Sequence, residues 1–247
     1  MKTLTYCLLV LAALSCGRSD SSVVSPANDT VADEYPNWYV LKAPVDRDIE
    51  GVWGDIDRTL LISTMSTIYR STDRGKHWES VKQQSTGMFS VVQYNDTLYT
   101  MSGLRNGKAL NNPDNYSVDD GKTWQPYQRY NPGLEYDPKP GVINRYLEIN
   151  PVVASTGTAY KINQVFLGGP TATTGTFETP GVTTNTAQRI DLPNLHQLNS
   201  LYLDKQQRLY IAGTDAVCSR AGTNEPFRFC NSKQGRGVVY VSKRPLP

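Results

Sequence analysis

The chain contains one octapeptide twice, as Ser71-Thr72-Asp73-Arg74-Gly75-Lys76-His77-Trp78 and as Ser117-Val118-Asp119-Asp120-Gly121-Lys122-Thr123-Trp124. Both copies match Ser-x-Asp-x-Gly-x-x-Trp, and their serines are 117 − 71 = 46 residues apart. Ser and Asp side chains accept hydrogen bonds from nearby backbone N–H groups, and Gly allows a positive φ, so the pattern predicts a tight turn. Trp then buries a large apolar surface where the chain re-enters a sheet. The structural positions are Ser71, Asp73, Gly75 and Trp78, with Ser117, Asp119, Gly121 and Trp124 as counterparts.

The two octapeptides resemble Asp-boxes, also called BNR repeats. In that family each box lies on the hairpin between the third and fourth strands of a β-propeller blade. Sialidases, the sortilin ectodomain and photosystem assembly factors carry such boxes. The resemblance therefore implies one blade around each copy and a structural role for the box, without identifying a ligand.

A fainter repeat extends this pattern along the chain. A polar turn followed by a strand-like run recurs with positions 59, 97, 158 and 208 matched, so that one unit averages about 50 residues. Propeller blades contain roughly 40–50 residues. We therefore predict an all-β propeller of about four blades. Five blades remain open because residues 103–113 and 167–186 are long enough to contain further strands, and two stacked sheets are the fallback.

The two ends of the sequence predict how the ring closes. Val238–Ser242 resembles the third strand of a blade, but no fourth strand follows it. Residues 37–41 precede the first unit and, like a fourth strand, begin near a Trp. Pairing of these N- and C-terminal strands would complete the last blade and remove open strand edges.

The N-terminal residues predict the cellular compartment. Apolar residues dominate positions 4–14, a run too short to span a bilayer but typical of a signal-peptide core. It ends at Ala13-Leu14-Ser15-Cys16-Gly17, which resembles a bacterial lipobox. We predict a signal peptide over 1–16 with lipidation at Cys16, a flexible tether over 17–34 and the propeller domain over 35–247. The protein would then be lipid-anchored to a bacterial membrane and face the periplasm or cell surface, with secretion as the alternative.

Composition and cysteine count narrow the function further. A formal net charge of +2 gives no indication of a nucleic-acid partner. Cys218 and Cys230 predict one disulfide in an oxidising compartment, with two free thiols as the alternative. His77 and His196 are the only histidines, and no Cys–His cluster is present, so we predict neither a metal nor a cofactor.

Tyrosine and arginine cluster between the second and third units. These residue types are typical of protein interfaces, and tyrosine also stacks on sugars. Packing between blades is an equally good interpretation of the cluster. The candidate binding residues are Tyr127, Arg129, Tyr130, Tyr136, Arg145 and Tyr146.

These patterns favour a binding or scaffold module that recognises a protein or a glycan. The alternative is a glycoside hydrolase of sialidase type, which the resemblance implies would use three arginines and a Tyr nucleophile supported by an acid. The Arg-Ile-Pro motif of that family is missing, and no catalytic residue is assigned, so an enzyme is less favoured. Asp55 and Asp57 fit either a carboxylate pair or the polar turn after one strand, and the turn is favoured.

Overall fold

In the computed structural model, the chain folds into four antiparallel sheets arranged as the blades of a β-propeller. The structure describes residues 29–85, 87–128, 147–169, 171–219, 227–233 and 235–246. This part of the chain contains nineteen strands and no helix. It therefore includes no helical segment that could cross a membrane. The predicted all-β propeller is confirmed, with four blades.

The strands follow one another through the blades in chain order. Two strands, β1 (Glu34–Tyr35) and β2 (Trp38–Lys42), precede the first blade. Blade I contains β3 (Gly51–Gly54), β4 (Leu60–Ser63), β5 (Thr67–Ser71) and β6 (Glu79–Gln83). Blade II contains β7 (Ser90–Tyr94), β8 (Thr97–Arg105), β9 (Ala109–Ser117) and β10 (Gln125–Pro126). Blade III contains β11 (Val152–Val153), β12 (Ala159–Phe166), β13 (Phe177–Thr184) and β14 (Arg189–Ile190).

Blade IV joins the two ends of the domain. It contains β15 (Leu198–Leu203), β16 (Leu209–Gly213), β19 (Val238–Ser242) and β2. Between β16 and β19, the chain forms a small hairpin of β17 (Val217–Ser219) and β18 (Arg228–Phe229). Strand β19 pairs with β2 from Val238↔Lys42 to Ser242↔Trp38. The predicted closure by N- and C-terminal strands is therefore confirmed, and β1 adds a fifth strand outside β2.

The domain also includes the last residues of the segment predicted as a tether. Val31 is only 1% exposed and packs in the core beside Trp38. Asp29 and Asp33 bind the Lys42 ammonium at 2.7 and 3.0 Å. These contacts hold residues 29–33, which belong to the predicted tether, against blade IV. The predicted signal peptide and residues 17–28 lie outside the described residues.

The hydrophobic core lies between neighbouring blades. Strands β4, β16 and β19 are buried at every residue because a blade covers each of their faces. This explains why they read as continuous apolar runs such as Leu60-Leu61-Ile62. The first strands of neighbouring blades contact one another and form the centre of the ring, so β3, β7, β11 and β15 are the innermost strands.

The antiparallel topology sorts the connections onto two ends of the ring. One end carries the turns between first and second strands and between third and fourth strands, and we call it the turn end. The opposite end carries the connections between second and third strands and between blades, and we call it the loop end. Residues 103–113, which left a fifth blade open, extend the β8–β9 pair instead. The other stretch that left a fifth blade open, residues 167–186, follows β12 and contains β13 in place of an additional blade.

Candidate functional site

Both octapeptides form the same turn, between the third and fourth strands of blades I and II. Ser71 Oγ donates a hydrogen bond to Asp73 Oδ1 at 2.8 Å and accepts one from the Gly75 N–H at 3.0 Å. The residue before each glycine also has a positive φ, 62° at Arg74 and 60° at Asp120. The second copy repeats the two distances, 2.8 and 3.0 Å, with Ser117, Asp119 and Gly121.

The aspartate of each turn is an acceptor for its own backbone. Asp73 Oδ1 accepts the His77 N–H at 3.0 Å, and Asp119 Oδ1 accepts the Thr123 N–H at 3.0 Å. These backbone bonds, followed by bonds from the His77 and Thr123 side chains, hold the pKa of both carboxyl groups well below the usual range. Both aspartates are therefore ionised turn residues, and the His77 side chain is 90% exposed beside the first of them.

The glycine of each turn is required by conformation and by space. Gly75 and Gly121 each have a φ of 75°. A Cβ on Gly75 would lie 3.0 Å from Leu41 of blade IV, and one on Gly121 would lie 2.8 Å from Leu61 of blade I. Each turn therefore packs closely against the preceding blade. The half-buried rings of Trp78 and Trp124 join the core clusters on either side of blade I.

A buried arginine neutralises the acidic side chains at the turn end. Arg208, which is 8% exposed, contacts Asp204, Asp55 and Asp57 at 2.6 Å each. Its hydrogen bond is the main cause that lowers the pKa of Asp57. Asp55 and Asp57 occupy the β3–β4 turn, so this cluster ties blade I to blade IV. Asp55 and Asp57 therefore serve as structural ion-pair partners of Arg208.

Of the six residues in the predicted tyrosine and arginine cluster, the structure describes only Tyr127. Tyr127 is half-buried and packs edge-on against Tyr99, with 5.2 Å between ring centroids. Its N–H donates to the Asp114 carbonyl at 2.8 Å. Tyr127 is therefore in a packing position beside blade II. The other five members, Arg129, Tyr130, Tyr136, Arg145 and Tyr146, lie outside the described residues.

A disulfide closes the small hairpin at the loop end. Cys218 and Cys230 are bonded, with 5.1 Å between their Cα atoms. The buried carboxylate of Asp215 accepts the N–H groups of Ala216 and Asn231 at 2.7 and 2.8 Å, which fixes both ends of the hairpin to blade IV. Both strands of the hairpin are therefore held to blade IV at its base. Cys16 lies outside the described residues.

Two carboxyl groups lie together at the loop end, just before the innermost strand of blade I. The Asn199 amide, at the start of β15, donates to Asp48 Oδ2 at 3.2 Å and to the Ile49 carbonyl at 3.0 Å. Burial first, and then the charge and hydrogen bond of Asp48, raise the pKa of Glu50 to about 7. Across the described ranges, no lysine, arginine or histidine forms an ion pair with either carboxyl group. The pair is thus an acidic site without a counter-charge.

Apolar side chains are exposed at the same end, on the β12–β13 hairpin. Phe166 and Phe177 pack with 5.8 Å between ring centroids and 67° between ring planes. Phe177 is 38% exposed and Val165 is 44% exposed. Exposed apolar surface that is bordered by polar residues is typical of binding sites. Among the residues that the structure describes, no group of three or more His, Cys, Asp or Glu side chains is arranged to hold a metal.

Comparison with protein-family models finds no match to this chain, and no curated protein matches it. Solved structures with some similarity include YCF48 bound to a D1 peptide, at 13% identity and a TM-score of 0.31, covering 77% of this chain and 68% of that chain. A protein assigned as a gluconolactonase is 16% identical, with a TM-score of 0.29, over 82% of this chain and 68% of its own.

The extracellular domain of a protein assigned as a one-component system from B. thetaiotaomicron is 12% identical, with a TM-score of 0.26. The similarity covers 75% of this chain and 22% of that one. Similarities at this level carry no argument about function. The function must therefore be argued from the residues of this chain.

Proposed function

We propose that the chain is a membrane-anchored, extracytoplasmic binding or scaffold module that recognises a protein or glycan ligand at the loop end of the ring. The observation that carries this proposal is the Asp48–Glu50 pair. Two acidic groups that are partly buried side by side disfavour the folded state, and a carboxyl group with a strongly raised pKa, such as that of Glu50, is typical of functional sites. A cationic group from a ligand would supply the missing counter-charge.

The octapeptide turns support a place for this chain among the Asp-box propellers. Both copies share hydrogen-bond distances and φ angles, and both lie between third and fourth strands. Their aspartates bind their own backbone and their glycines face the preceding blade. In this proposal the boxes build the scaffold, and the ligand binds at the opposite end.

The membrane anchor in this proposal depends on Cys16. Acyl chains on a lipoprotein cysteine anchor a protein stably because several chains enter the bilayer together. A Cys16→Ser precursor should lose metabolic lipid labelling and leave the membrane fraction. A variant that stays in the membrane fraction to the same extent as the wild type would contradict anchoring through this residue.

A glycoside hydrolase is the second candidate, favoured by the pKa of about 7 at Glu50, which suits a general acid. However, Glu50 and Asp48 are hydrogen-bonded to each other. Hydrolases that use two carboxyl groups hold them about 5–9.5 Å apart, on either side of the substrate bond. Arg74 and Arg208 form ion pairs with aspartates at the turn end, so neither belongs to a sialidase arrangement of three arginines beside a Tyr–Glu pair at the loop end.

A glycan array, a peptide display library and a fluorogenic sialoside, each applied to the purified protein, separate these candidates. Glu50→Lys supplies an internal counter-charge to Asp48 and should abolish ligand binding. Asp73→Asn changes a carboxylate at the turn end and should leave ligand binding unchanged. Hydrolysis of the sialoside that disappears in Glu50→Gln would favour the enzyme. Ligands that bind the wild type and Glu50→Lys equally would contradict the proposed site.

A further inference from the structure

Among the residues that the structure describes, no strand pairs with the outer half of β12 on the β11 side, and we call this side the free edge of β12. Strand β11 pairs with it only at Val152↔Tyr160 and Val153↔Ala159, although β12 continues to Phe166. On its other side β12 is paired with β13 as far as Phe166↔Phe177. The outer half of β12 therefore belongs to a two-stranded ribbon. Because β11 is the innermost strand of blade III, the free edge of this ribbon is on the side of the ring axis.

The direction of the backbone groups identifies which residues form this edge. The Ile162 N–H points to the β11 side, where it donates to Asn150 Oδ1 at 3.0 Å. The Leu167 N–H points to the opposite side, where it donates to a carbonyl of the β13 segment at 2.9 Å. Backbone groups alternate along a strand. The N–H and C=O groups of Gln164 and Phe166 therefore point to the free edge.

The usual protections of a free strand edge are missing from this one. Proteins shield such edges with charged side chains, with proline or with bulges in the edge strand. The sequence has no charged residue between Lys161 and Glu178. The irregularity in the pairing places its extra residue in β13, between Glu178 and Gly181, and leaves β12 regular. Within the part of the chain that the structure describes, the edge is thus open to pairing with another extended chain.

The ribbon and the carboxyl pair are connected through the start of β15. Strand β12 contacts β15, and the Leu198 N–H at the start of β15 donates to Thr179 Oγ1 of β13 at 2.6 Å. The next residue, Asn199, holds Asp48 and the backbone beside Glu50. One ligand segment can therefore pair with β12 and continue to the carboxyl groups, since an extended chain covers about 3.3 Å per residue.

We propose that β12 binds an extended peptide segment of a protein ligand, which adds a strand at Gln164 and Phe166 and places a lysine or arginine against Asp48 and Glu50. Main-chain hydrogen bonds supply affinity in this mode of recognition, and side-chain pockets supply specificity. The Phe166–Phe177 pair provides the apolar contact. This inference rests on the proposed binding function and selects a peptide over a glycan, because a glycan has no backbone ladder to match the edge.

Charge argues for a foreign peptide rather than a second copy of the chain. A second copy could pair its own β12 edge, but it would bring another uncompensated acidic pair to the loop end. A peptide with a basic residue neutralises the existing pair. Opposite charges that meet in a partly buried site also raise the specificity of the contact.

The test uses a displayed library of random decapeptides selected on the purified full chain. Gln164→Pro removes the N–H that points to the free edge, and it leaves the β12–β13 ladder intact because that ladder uses the odd-numbered residues. Gln164→Ala keeps the N–H and is the matched control. Selected peptides should carry a lysine or arginine and bind the wild type and Gln164→Ala equally. They should bind Gln164→Pro and Glu50→Lys at least about tenfold more weakly.

Hydrogen exchange gives a second readout that needs no variant. Binding of a selected peptide to the wild type should slow exchange at the amides of residues 164 and 166 more than at their odd-numbered neighbours. Peptides that bind Gln164→Pro as well as Gln164→Ala, or that leave these amides unprotected, would overturn strand addition while the proposed binding function stands. A library that yields no binder also overturns it, and the glycan array then decides the proposed function. Self-association that is lost in Gln164→Pro would identify a second copy as the occupant and overturn the peptide.

Discussion

Replacement of Glu50 by glutamine should stabilise the protein at alkaline pH and have little effect at acidic pH. The side chain is partly buried beside Asp48, and its pKa is raised from an ordinary 4.5 to about 7. The folded state therefore prefers the protonated form. A raised carboxyl pKa contributes stability that is fully present below pH 4.5 and is lost as the pH rises through about 7. Glutamine keeps the shape of the neutral acid and cannot ionise.

The size of the effect follows from the displacement of the pKa. Each pKa unit corresponds to about 1.4 kcal/mol, so a rise from 4.5 to about 7 corresponds to about 3 kcal/mol at high pH. For a domain of this size, 1 kcal/mol changes the melting temperature by about 2–4 °C. Glu50→Gln should therefore melt about 6–12 °C above the wild type at pH 8.5 and close to it at pH 4.5.

Thermal unfolding at several pH values, followed by circular dichroism, measures this difference directly. Glu79→Gln is the control, because Glu79 is exposed on β6 and should show no such gain. Asp48→Asn should also reduce the loss of stability at high pH, since the neighbouring charge is one cause of the raised pKa. Equal melting temperatures of Glu50→Gln and the wild type at pH 8.5 would refute the reasoning. So would a difference that is larger at pH 4.5 than at pH 8.5.

Three further predictions concern the scaffold. Arg208→Ala should lower the free energy of unfolding by about 3–5 kcal/mol in urea titrations, because it leaves the buried Asp204 carboxylate without its partner. Gly121→Ala should cost about 1–3 kcal/mol and more than Gly107→Ala, since both glycines have positive φ but only the first would place its Cβ against another blade. Burial lowers the pKa of His196, so its stabilising contribution is present above about pH 6.5 and lost as the pH falls. The difference in melting temperature between the wild type and His196→Gln should therefore narrow from pH 7.5 to pH 5, and a constant difference would contradict this.

The sequence predicts those parts of the fold whose signals are local. The octapeptides predict their own turns, because the hydrogen bonds that the serine and aspartate side chains make within each turn join residues at most four positions apart. The ring closure is also predictable, because β19 resembles the third strand of a blade and β2 begins with the Trp that is typical of a fourth strand. The β12–β13 ribbon is harder to predict. Its Thr- and Gly-rich residues have little hydrophobic alternation, because much of the ribbon extends beyond the packed blade.

The candidate site is hidden from the sequence for a different reason. Asp48 and Glu50 flank a single apolar residue in a connection, and nothing in that pattern distinguishes them from solvated charges. Their partner Asn199 is about 150 positions away in the chain, so their burial depends on the ring closing correctly. The same holds for Arg208, whose three acidic partners come from two blades. The local signal for Asp48 and Glu50 is two acidic residues immediately before the innermost strand of a blade.

The two ends of the ring differ in how they balance charge, and this difference supports the proposed site at the loop end. At the turn end, Arg208 satisfies three aspartates, and each octapeptide aspartate is satisfied by backbone N–H groups. A cation that approached there would compete with partners already in place. At the loop end, Asp48 accepts a hydrogen bond from the Asn199 amide, and no described positive charge forms an ion pair with Asp48 or Glu50. An acidic pair without a nearby positive charge lowers stability. In the proposed function, a ligand that brings a positive charge to the loop end would offset this cost.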